Sequence, residues 1–260
     1  MKKTLYLIIL FSLFAFTSDA GIMIMRTRGG AAGDSCTGGL LAGIHFEAAD
    51  VTTGTPAGCY ILHDTDTTLA YNSSAALNTD TVSDGSNSLD APSQYDRAEL
   101  PINQNFPGSE GTIEVDLYFD TCELGEWFVE LPYGAGSLNR MDIRFANSCS
   151  NGAVDVSFNI ITSGGTNGNI VCNMNGSTGQ WYRIKAEWKN QAGNDLKITA
   201  WTLDASSPRE VDSQECTTTE DDDWASLGNT PDALQTGAAA DGTPVDLHID
   251  RLYIRSDSSL

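Results

Sequence analysis

The sequence is poor in positive charge. Its 260 residues contain 14 lysines and arginines against 35 aspartates and glutamates, which gives a formal net charge of −21. Proteins that bind nucleic acids collect cations along a surface that follows the phosphate backbone, so this composition argues against that class of partner. Core-forming residues are not scarce, because 40% of the chain is hydrophobic and it includes five tryptophans, eight tyrosines and nine phenylalanines. The composition is therefore that of a folded protein.

Helical periodicity is nearly absent after the first twenty residues, where no dozen-residue window carries apolar side chains at helical spacing. A period of two replaces it. The clearest case is residues 112–119, and the same alternation recurs in residues 140–145, 154–160, 182–188, 196–201 and 245–249. One apolar and one polar face per segment are typical of antiparallel sheets packed on one side. We therefore predict an all-β fold, a two-sheet antiparallel β-sandwich forming a single domain over residues 43–256, in which residues 204–243 are a long polar loop.

The first twenty residues have the pattern of a secretory signal peptide. Lys2 and Lys3 precede an apolar run of about a dozen residues, and Ser18 and Ala20 are the small residues that flank a cleavage position. The apolar run is shorter than the roughly 20 residues that span a bilayer. Removal of residues 1–20 leaves 12 positive and 34 negative residues, a balance of −22. We predict a protein that is secreted or held at the cell surface, or in the periplasm of a bacterium, with a flexible leader at residues 21–42 and no membrane span.

The cysteines fit an exported protein. All six follow the predicted signal peptide, at Cys36, Cys59, Cys122, Cys149, Cys172 and Cys216. An even number in an exported chain indicates disulfides, and the missing C-x-x-C pair removes support for a zinc or thioredoxin-type motif. Six cysteines allow 15 connectivities. Of these we predict sequential pairing, Cys36–Cys59, Cys122–Cys149 and Cys172–Cys216, with the middle bond bracing two neighbouring strands and each bond contributing about 3–4 kcal/mol.

Several short segments, in their order and spacing, resemble those of concanavalin A-like jelly rolls, especially laminin-G-like and carbohydrate-binding modules. The matching segments are residues 44–47, 87–89, 111–115, 181–184, 196–200 and 249–254. The resemblance covers residues 43–256 and implies a jelly roll that recognises glycans. In many such modules an acid after the first phenylalanine meets an acid of the last strand at a calcium ion, which implies a structural calcium site at Glu47 and Asp250. The alternative for these two residues is ordinary surface acids.

Aromatic side chains are the candidates for stacking on sugar rings. The residues that could stack are Trp127, Tyr133, Trp201 and Trp224. Trp201 is the strongest of them, because it alternates with the apolar positions of its strand and should point outward. We take Trp201, Tyr133 and Trp224, together with Arg97, as the predicted glycan-binding residues.

Two strands carry residues that suggest catalysis. Arg97 and Glu99 resemble the Arg-x-Glu-Leu strand of jelly-roll polysaccharide lyases, in which an arginine neutralises a uronate carboxylate. Such lyases also need a histidine or tyrosine base, and a structural Arg–Glu pair is the alternative. Glu114 and Asp116 resemble the start of the E-x-D-x-x-E strand of laminarinase-type glycosidases, but Phe119 occupies the position of the third acid, so a solvated strand face is favoured there.

The leading functional hypothesis is thus an exported jelly-roll protein that binds extracellular or cell-surface glycans. A polysaccharide lyase using Arg97 and Glu99 is the enzymatic alternative. A structural or adhesive surface protein that self-assembles is the third. An acidic polymer is disfavoured as a ligand by the net charge, unless the binding cleft itself is basic.

Overall fold

The regular structure of the described residues, in a computed structural model of this protein, consists of sixteen β-strands. The described residues are 40–45, 60–63, 70–72, 75–81, 83, 88–92, 96–101, 108–122, 124–133, 138–147, 149, 154–163, 167–174, 176–204, 211–222, 224, 227, 231–239 and 246–260. The predicted signal peptide, the leader up to residue 39, Glu47, Cys36 and Cys59 lie outside them. For residues 40–45, 60–63 and 70–72 only the backbone is described.

The strands in chain order are β1 (Leu40–His45), β2 (Tyr60–His63), β3 (Ala70–Asn72), β4 (Ala76–Asn78), β5 (Ser88–Ala91), β6 (Arg97–Pro101), β7 (Glu110–Phe119), β8 (Trp127–Pro132), β9 (Arg140–Phe145), β10 (Val154–Ile161), β11 (Gly168–Met174), β12 (Gln180–Lys189), β13 (Leu196–Leu203), β14 (Val211–Glu220), β15 (Ala233–Ala239) and β16 (Leu247–Arg255). The part of the chain that the structure describes contains no α-helix. None of its segments is therefore a helix long and apolar enough to cross a membrane.

The strands form two sheets, which confirms the predicted all-β sandwich. One sheet has nine strands, with seven in the order β14-β13-β12-β7-β16-β1-β2. Strand β16 pairs with β5 through residues 247–249 and with β1 through residues 252–255, and β4 pairs with β5. The other sheet has seven strands in the order β11-β10-β9-β8-β15-β6-β3. Neighbouring strands are antiparallel except for the parallel pair β1–β2.

The core lies between the two sheets and is built from the apolar face of each. Phe119 of the nine-stranded sheet contacts Phe145 of the seven-stranded sheet, with ring centroids 5.0 Å apart. Trp188 and Phe158 make a similar contact across the sandwich at 5.8 Å. Gly111 is required at its position, because a Cβ atom there would lie 2.5 Å from the Trp188 ring and 2.8 Å from a backbone oxygen. The alternation seen in the sequence therefore reports true burial.

The prediction of one long loop over residues 204–243 was wrong, because two strands lie within it. Strand β14 is an edge strand of the nine-stranded sheet, and most of its residues are polar. Strand β15 lies inside the seven-stranded sheet but consists largely of small residues. Neither segment shows the large apolar residues on which period-two patterns depend. The first strand is Leu40–His45, whereas the first strand candidate in the sequence is residues 44–47, of which 46 and 47 lie outside the described residues.

Two of the predicted disulfides are present, and both join the two sheets. Cys122 follows β7 of one sheet and is bonded to Cys149, which follows β9 of the other, with Cα atoms 5.2 Å apart. Cys172 of β11 is bonded to Cys216 of β14, with Cα atoms 5.9 Å apart. The middle bond therefore does not brace neighbouring strands, as expected from the sequence, but ties one layer of the sandwich to the other.

Candidate functional site

A continuous row of polar side chains crosses the outward face of the seven-stranded sheet. Residues directly opposite each other on paired strands share a face, so the strand register defines the row. Its members, from one side of the sheet to the other, are Asn169, Asn159, Asp142, Glu130, Gln235 and Glu99. They come from six adjacent strands, and five inter-strand spacings of about 4.8 Å give the row a length of about 24 Å. We call these six residues the polar row.

Hydrogen bonds link the polar row along the sheet. Asn169 donates from Nδ2 to Oδ1 of Asn159, and Asn159 donates from Nδ2 to Oδ1 of Asp142 at 2.9 Å. At the other end Gln235 donates from Nε2 to Oε2 of Glu99 at 2.8 Å. These contacts hold amide and carboxylate groups in fixed orientations. Less side-chain conformational entropy is therefore lost when a ligand binds.

Asp142 is the most buried acid of the row, with a side chain that is 1% exposed. Its carboxylate lies between two arginines of its own strand: Nε of Arg140 is 3.1 Å from Oδ2, and Nε of Arg144 is 2.9 Å from Oδ1. Burial raises the pKa of Asp142, while Arg144 and Arg140 act in the opposite direction. The acid therefore orients two guanidinium groups along the same face.

Glu130 lies directly opposite Asp142 and is half-buried. Burial raises its pKa; Arg140 opposes this shift, Asp142 adds to it, and Arg97 and Arg144 oppose it. Arg97 belongs to the same face, where its Nη2 lies 3.8 Å from Oε2 of Glu99. Three arginines thus accompany three acids here, so the local charge is nearly balanced in a chain whose net charge is −21.

Trp127 also belongs to this face. It is paired with Arg144 across β8 and β9, at a point where the register shifts, and its side chain is half-buried. An indole that is partly exposed beside hydrogen-bonding groups has the combination of apolar surface and polar surroundings that sugar rings contact. Among the aromatic residues singled out in the sequence, Trp127 is the one that the register places on the same sheet face as Arg97.

The other predicted aromatic residues lie elsewhere. Tyr133 and Trp224 are 3% and 6% exposed, so neither presents a ring face to a ligand in this structure. Burial raises the pKa of Tyr133. Trp201 is half-buried on β13 of the nine-stranded sheet, opposite Arg183 of β12. The structure therefore does not bring Trp201, Tyr133, Trp224 and Arg97 together in one site.

Glu114 and Asp116 are engaged in an ion pair with Arg183. Arg183 donates from Nε to Oδ1 of Asp116 at 2.7 Å and from Nη2 to Oδ2 at 2.9 Å, and its Nε lies 3.6 Å from Oε1 of Glu114. Asp116 is almost completely buried, and Phe119 is a core residue. A carboxylate held by a bidentate arginine away from solvent fits a structural role rather than a catalytic one.

Asp250, the predicted calcium ligand of the last strand, is also buried. Ser83 donates to Oδ2 of Asp250 from its backbone N at 2.8 Å and from Oγ at 2.7 Å, and the same Oγ lies 3.2 Å from Oδ2 of Asp116. Carboxylate and hydroxyl oxygens are donors that calcium prefers. Asp250 and Ser83 therefore fit the expected ion. Its other predicted ligand, Glu47, lies outside the described residues, so calcium stays a prediction.

No protein family matches the chain, and no curated protein matches it in sequence. Several solved structures show partial similarity of fold. The botulinum neurotoxin serotype D ligand binding domain in complex with N-acetylneuraminic acid matches 74% of this chain, with 10% identity and a TM-score of 0.49. The botulinum neurotoxin type G receptor binding domain matches 74%, with 9% identity and a TM-score of 0.47.

The third structure, Cellulose induced protein, Cip1, matches 72% of this chain and 90% of its own, with 14% identity and a TM-score of 0.44. The chain spans 43% of the length of the two toxin chains. At these identities and TM-scores the similarity identifies neither a family nor a ligand for this protein.

Proposed function

We propose that this chain is an exported glycan-binding protein that holds its ligand along the polar row, with Trp127 and Arg97 at the same face. The proposal rests chiefly on one observation, the register that aligns six polar side chains over about 24 Å of a single sheet face. A ligand that lies along such a row needs many hydroxyl groups, spaced over several units. An oligosaccharide has this chemistry.

The polar row supplies both kinds of hydrogen-bonding partner. The amides of Gln235 and Asn169 donate and accept, and the carboxylate of Glu99 accepts, while the buried Asn159 orients Asn169. Sugar hydroxyls both donate and accept hydrogen bonds. A row that contains donors and acceptors can therefore bind them without a large apolar surface. The half-buried ring of Trp127 adds the stacking surface that discriminates a sugar from a polar peptide.

Local charge favours a neutral glycan or one with isolated carboxylates. Arg97, Arg140 and Arg144 offset the acids of the face, and the raised pKa of Glu130 reduces its negative charge further at mildly acidic pH. A densely charged polyanion would still approach a chain of net charge −21 against long-range repulsion. The ligand class proposed is therefore a weakly charged extracellular or cell-surface glycan.

Export is supported by the two disulfides, because such bonds form and persist in oxidising compartments. The predicted signal peptide at residues 1–20 supplies the route, and we retain it within the proposal. Calcium at Asp250 would act as a structural ion, on the nine-stranded sheet and away from the polar row.

Glu130 favours a second candidate, an enzyme at the same face. A half-buried carboxylic acid with a raised pKa, near arginines, has the properties of a general acid or base. The lyase form of this candidate has no histidine base at this face, because His45, His63 and His248 all belong to strands of the nine-stranded sheet, so its base would have to be a tyrosine. Unsaturated, ultraviolet-absorbing products from uronate polymers would establish the lyase and replace the proposal of a binding protein.

A glycan array tests the proposed function. The native protein and two single variants, Trp127→Ala and Trp201→Ala, are applied at equal concentration, with and without calcium. We expect binding by the native protein, loss of it in Trp127→Ala, and retention in Trp201→Ala, because the latter tryptophan lies on the other sheet. Loss in Trp201→Ala with retention in Trp127→Ala would move the site to the nine-stranded sheet, and no binding by the native protein would contradict the function itself.

A further inference from the structure

Three potential metal ligands converge on the outward face of the nine-stranded sheet, on the opposite side of the sandwich from the polar row. Asp90 of β5 and His248 of β16 are direct cross-strand partners, and Asp246 immediately precedes β16. One ligand atom from each of the three residues can be chosen so that all three lie within 4.8 Å of one another. The sequence showed no metal motif here, because the ligands come from strands that are far apart along the chain.

The histidine of this group is buried, and one of its ring nitrogens has no hydrogen-bond partner. The His248 side chain is 8% exposed, and neither its Nδ1 nor Oδ1 of Asp90 has a hydrogen-bond partner, although both atoms are buried. They lie 3.8 Å apart, and Nε2 of His248 lies 3.8 Å from Oδ1 of Asp246. These distances exceed the 2.7–3.2 Å of ordinary hydrogen bonds. Buried polar atoms almost always have a partner, so this pair calls for one that both can share.

A divalent cation has the right size to be that partner. Two ligand atoms bound at about 2.1 Å from the same ion in tetrahedral geometry are separated by about 3.4 Å. The 3.8 Å between Nδ1 of His248 and Oδ1 of Asp90 approaches this separation, whereas it is too long for a direct hydrogen bond. Asp246, whose side chain is 47% exposed, completes the group of three residues whose ligand atoms can lie within 4.8 Å of one another.

The surroundings hold the ligands in place. The Tyr118 ring packs edge-on against the His248 ring, with centroids 5.4 Å apart. Tyr118 donates to Oδ1 of Asp120 at 3.1 Å, and the backbone N of Asp120 donates to the carbonyl oxygen of Asp246 at 3.1 Å. The backbone N of Asp246 in turn donates to Oγ1 of Thr121. In metal sites, packing and hydrogen bonds of this kind around the ligand residues hold their side chains in the orientation that binds the ion.

The charge at this position also favours a cation. Asp90 and Asp246 both lie 3.8 Å from the imidazole of His248, and Asp120 is hydrogen-bonded to the backbone of Asp246, so negative charge gathers around one imidazole.

We propose that Asp90, Asp246 and His248 form a binding site for a first-row transition-metal ion, best represented by Zn²⁺. The imidazole decides the class of metal, because nitrogen ligands suit zinc and its neighbours, whereas calcium and magnesium take oxygen ligands. This site is separate from the calcium predicted at Asp250, and it adds to the proposed glycan binding without depending on it. Because Asp90 and Asp246 are partly exposed, at 26% and 47%, the ion keeps positions open to solvent or to an exogenous ligand.

Zinc titration of the full exported chain tests the site. The protein is treated with EDTA, desalted, and titrated with zinc chloride by calorimetry, while bound metal is counted by equilibrium dialysis and elemental analysis. The variants are His248→Gln and Asp246→Asn. The matched control is Asp232→Asn, which removes one negative charge from an exposed position on the other side of the sandwich, next to β15.

We expect one more zinc ion per native chain than per His248→Gln chain, an affinity at least tenfold weaker in Asp246→Asn, and no change in Asp232→Asn. Cobalt(II) bound at the same position should show visible absorption that His248→Gln abolishes. Asp246 is partly exposed, so Asp246→Asn stays informative if His248→Gln proves poorly folded by circular dichroism. Equal zinc stoichiometry and affinity in all four proteins would overturn the site, and tighter binding of calcium than of zinc, lost in Asp246→Asn, would overturn the class of metal.

Discussion

Cys172 of β11 is bonded to Cys216 of β14, so the edge strand of one sheet is covalently tied to the edge strand of the other. The second bond, Cys122–Cys149, joins the sheets through the segments that follow β7 and β9. Both bonds therefore fix the spacing of the two layers. The polar row begins at Asn169, on the same strand as Cys172. The rigidity of that end of the candidate site depends on this connection.

Removal of the edge disulfide should lower stability markedly. The bond closes a loop with a sequence separation of 44 residues. Loop-closure entropy for this length corresponds to about 4 kcal/mol, so Cys172→Ser with Cys216→Ser should reduce the free energy of unfolding by roughly that amount. Urea denaturation of the native protein and of the double variant, under non-oxidising and oxidising conditions, measures this loss in the free energy of unfolding. An unchanged denaturation midpoint in the double variant would contradict the role assigned to this bond.

The Arg183–Asp116 pair should be a major stabilising contact of the nine-stranded sheet. Asp116 is 2% exposed and its carboxylate receives two hydrogen bonds from Arg183. Arg183→Met would leave a buried, uncompensated carboxylate and should cost about 3–5 kcal/mol. The control is Lys189→Met on the same strand, because Lys189 and Glu110 form a more exposed pair worth about 0–1 kcal/mol. Urea denaturation measures the free energy of unfolding lost in each variant. Equal losses would contradict the claim that burial makes the Arg183–Asp116 pair the more stabilising of the two.

Glu130 should make stability depend on pH in a defined direction. Since burial raises its folded pKa above the ordinary 4.5, the folded protein keeps a proton that the unfolded chain has already released. This contribution to the free energy of unfolding is complete below pH 4.5 and is lost as the pH rises through the folded pKa. Glu130→Gln mimics the protonated form, so its stability advantage over the native protein should grow between pH 4.5 and 7. A difference that stays constant over this range would contradict the assignment.

Calcium should raise the melting temperature, and the rise should depend on Asp250 and Glu47. Asp250 and Ser83 present the oxygen donors that this ion prefers. The quantity to compare is the calcium-induced shift in each protein, since Asp250→Asn also disturbs the contacts with Ser83. We expect the shift to vanish in Asp250→Asn and in Glu47→Gln and to persist in Asp232→Asn. A full shift in both site variants would place the calcium elsewhere.

The sequence was sufficient to predict the architecture because burial leaves a period-two pattern in long strands such as β7 and β12. It failed for β15, where Ala233 and Gly237 carry too little side chain to show which face is buried. Without β15 the polar row is interrupted, since Gln235 bridges Glu130 and Glu99.

The candidate sites required knowledge of strand order. Arg97 and Glu99 share a face because they lie two residues apart on one strand, which the sequence does reveal. That Glu130 faces Asp142, or that His248 faces Asp90, depends on pairings between distant segments. Trp127 was recognised as a possible stacking residue, but its neighbour Arg144 could not be foreseen. Local sequence patterns thus predict which residues share a face of one strand, whereas the composition of a site depends on the register between strands.

The affinity of one glycan for two glutamine variants tests the central claim most directly. Gln235 is the fifth of the six residues of the polar row and connects Glu130 to Glu99, while Gln214 is exposed on edge strand β14 of the other sheet. With the ligand from the array that binds most tightly, calorimetry should show binding about 5- to 150-fold weaker for Gln235→Ala, as expected when about 1–3 kcal/mol of hydrogen bonding is lost, and native affinity for Gln214→Ala. Native affinity in Gln235→Ala would contradict glycan binding at the polar row.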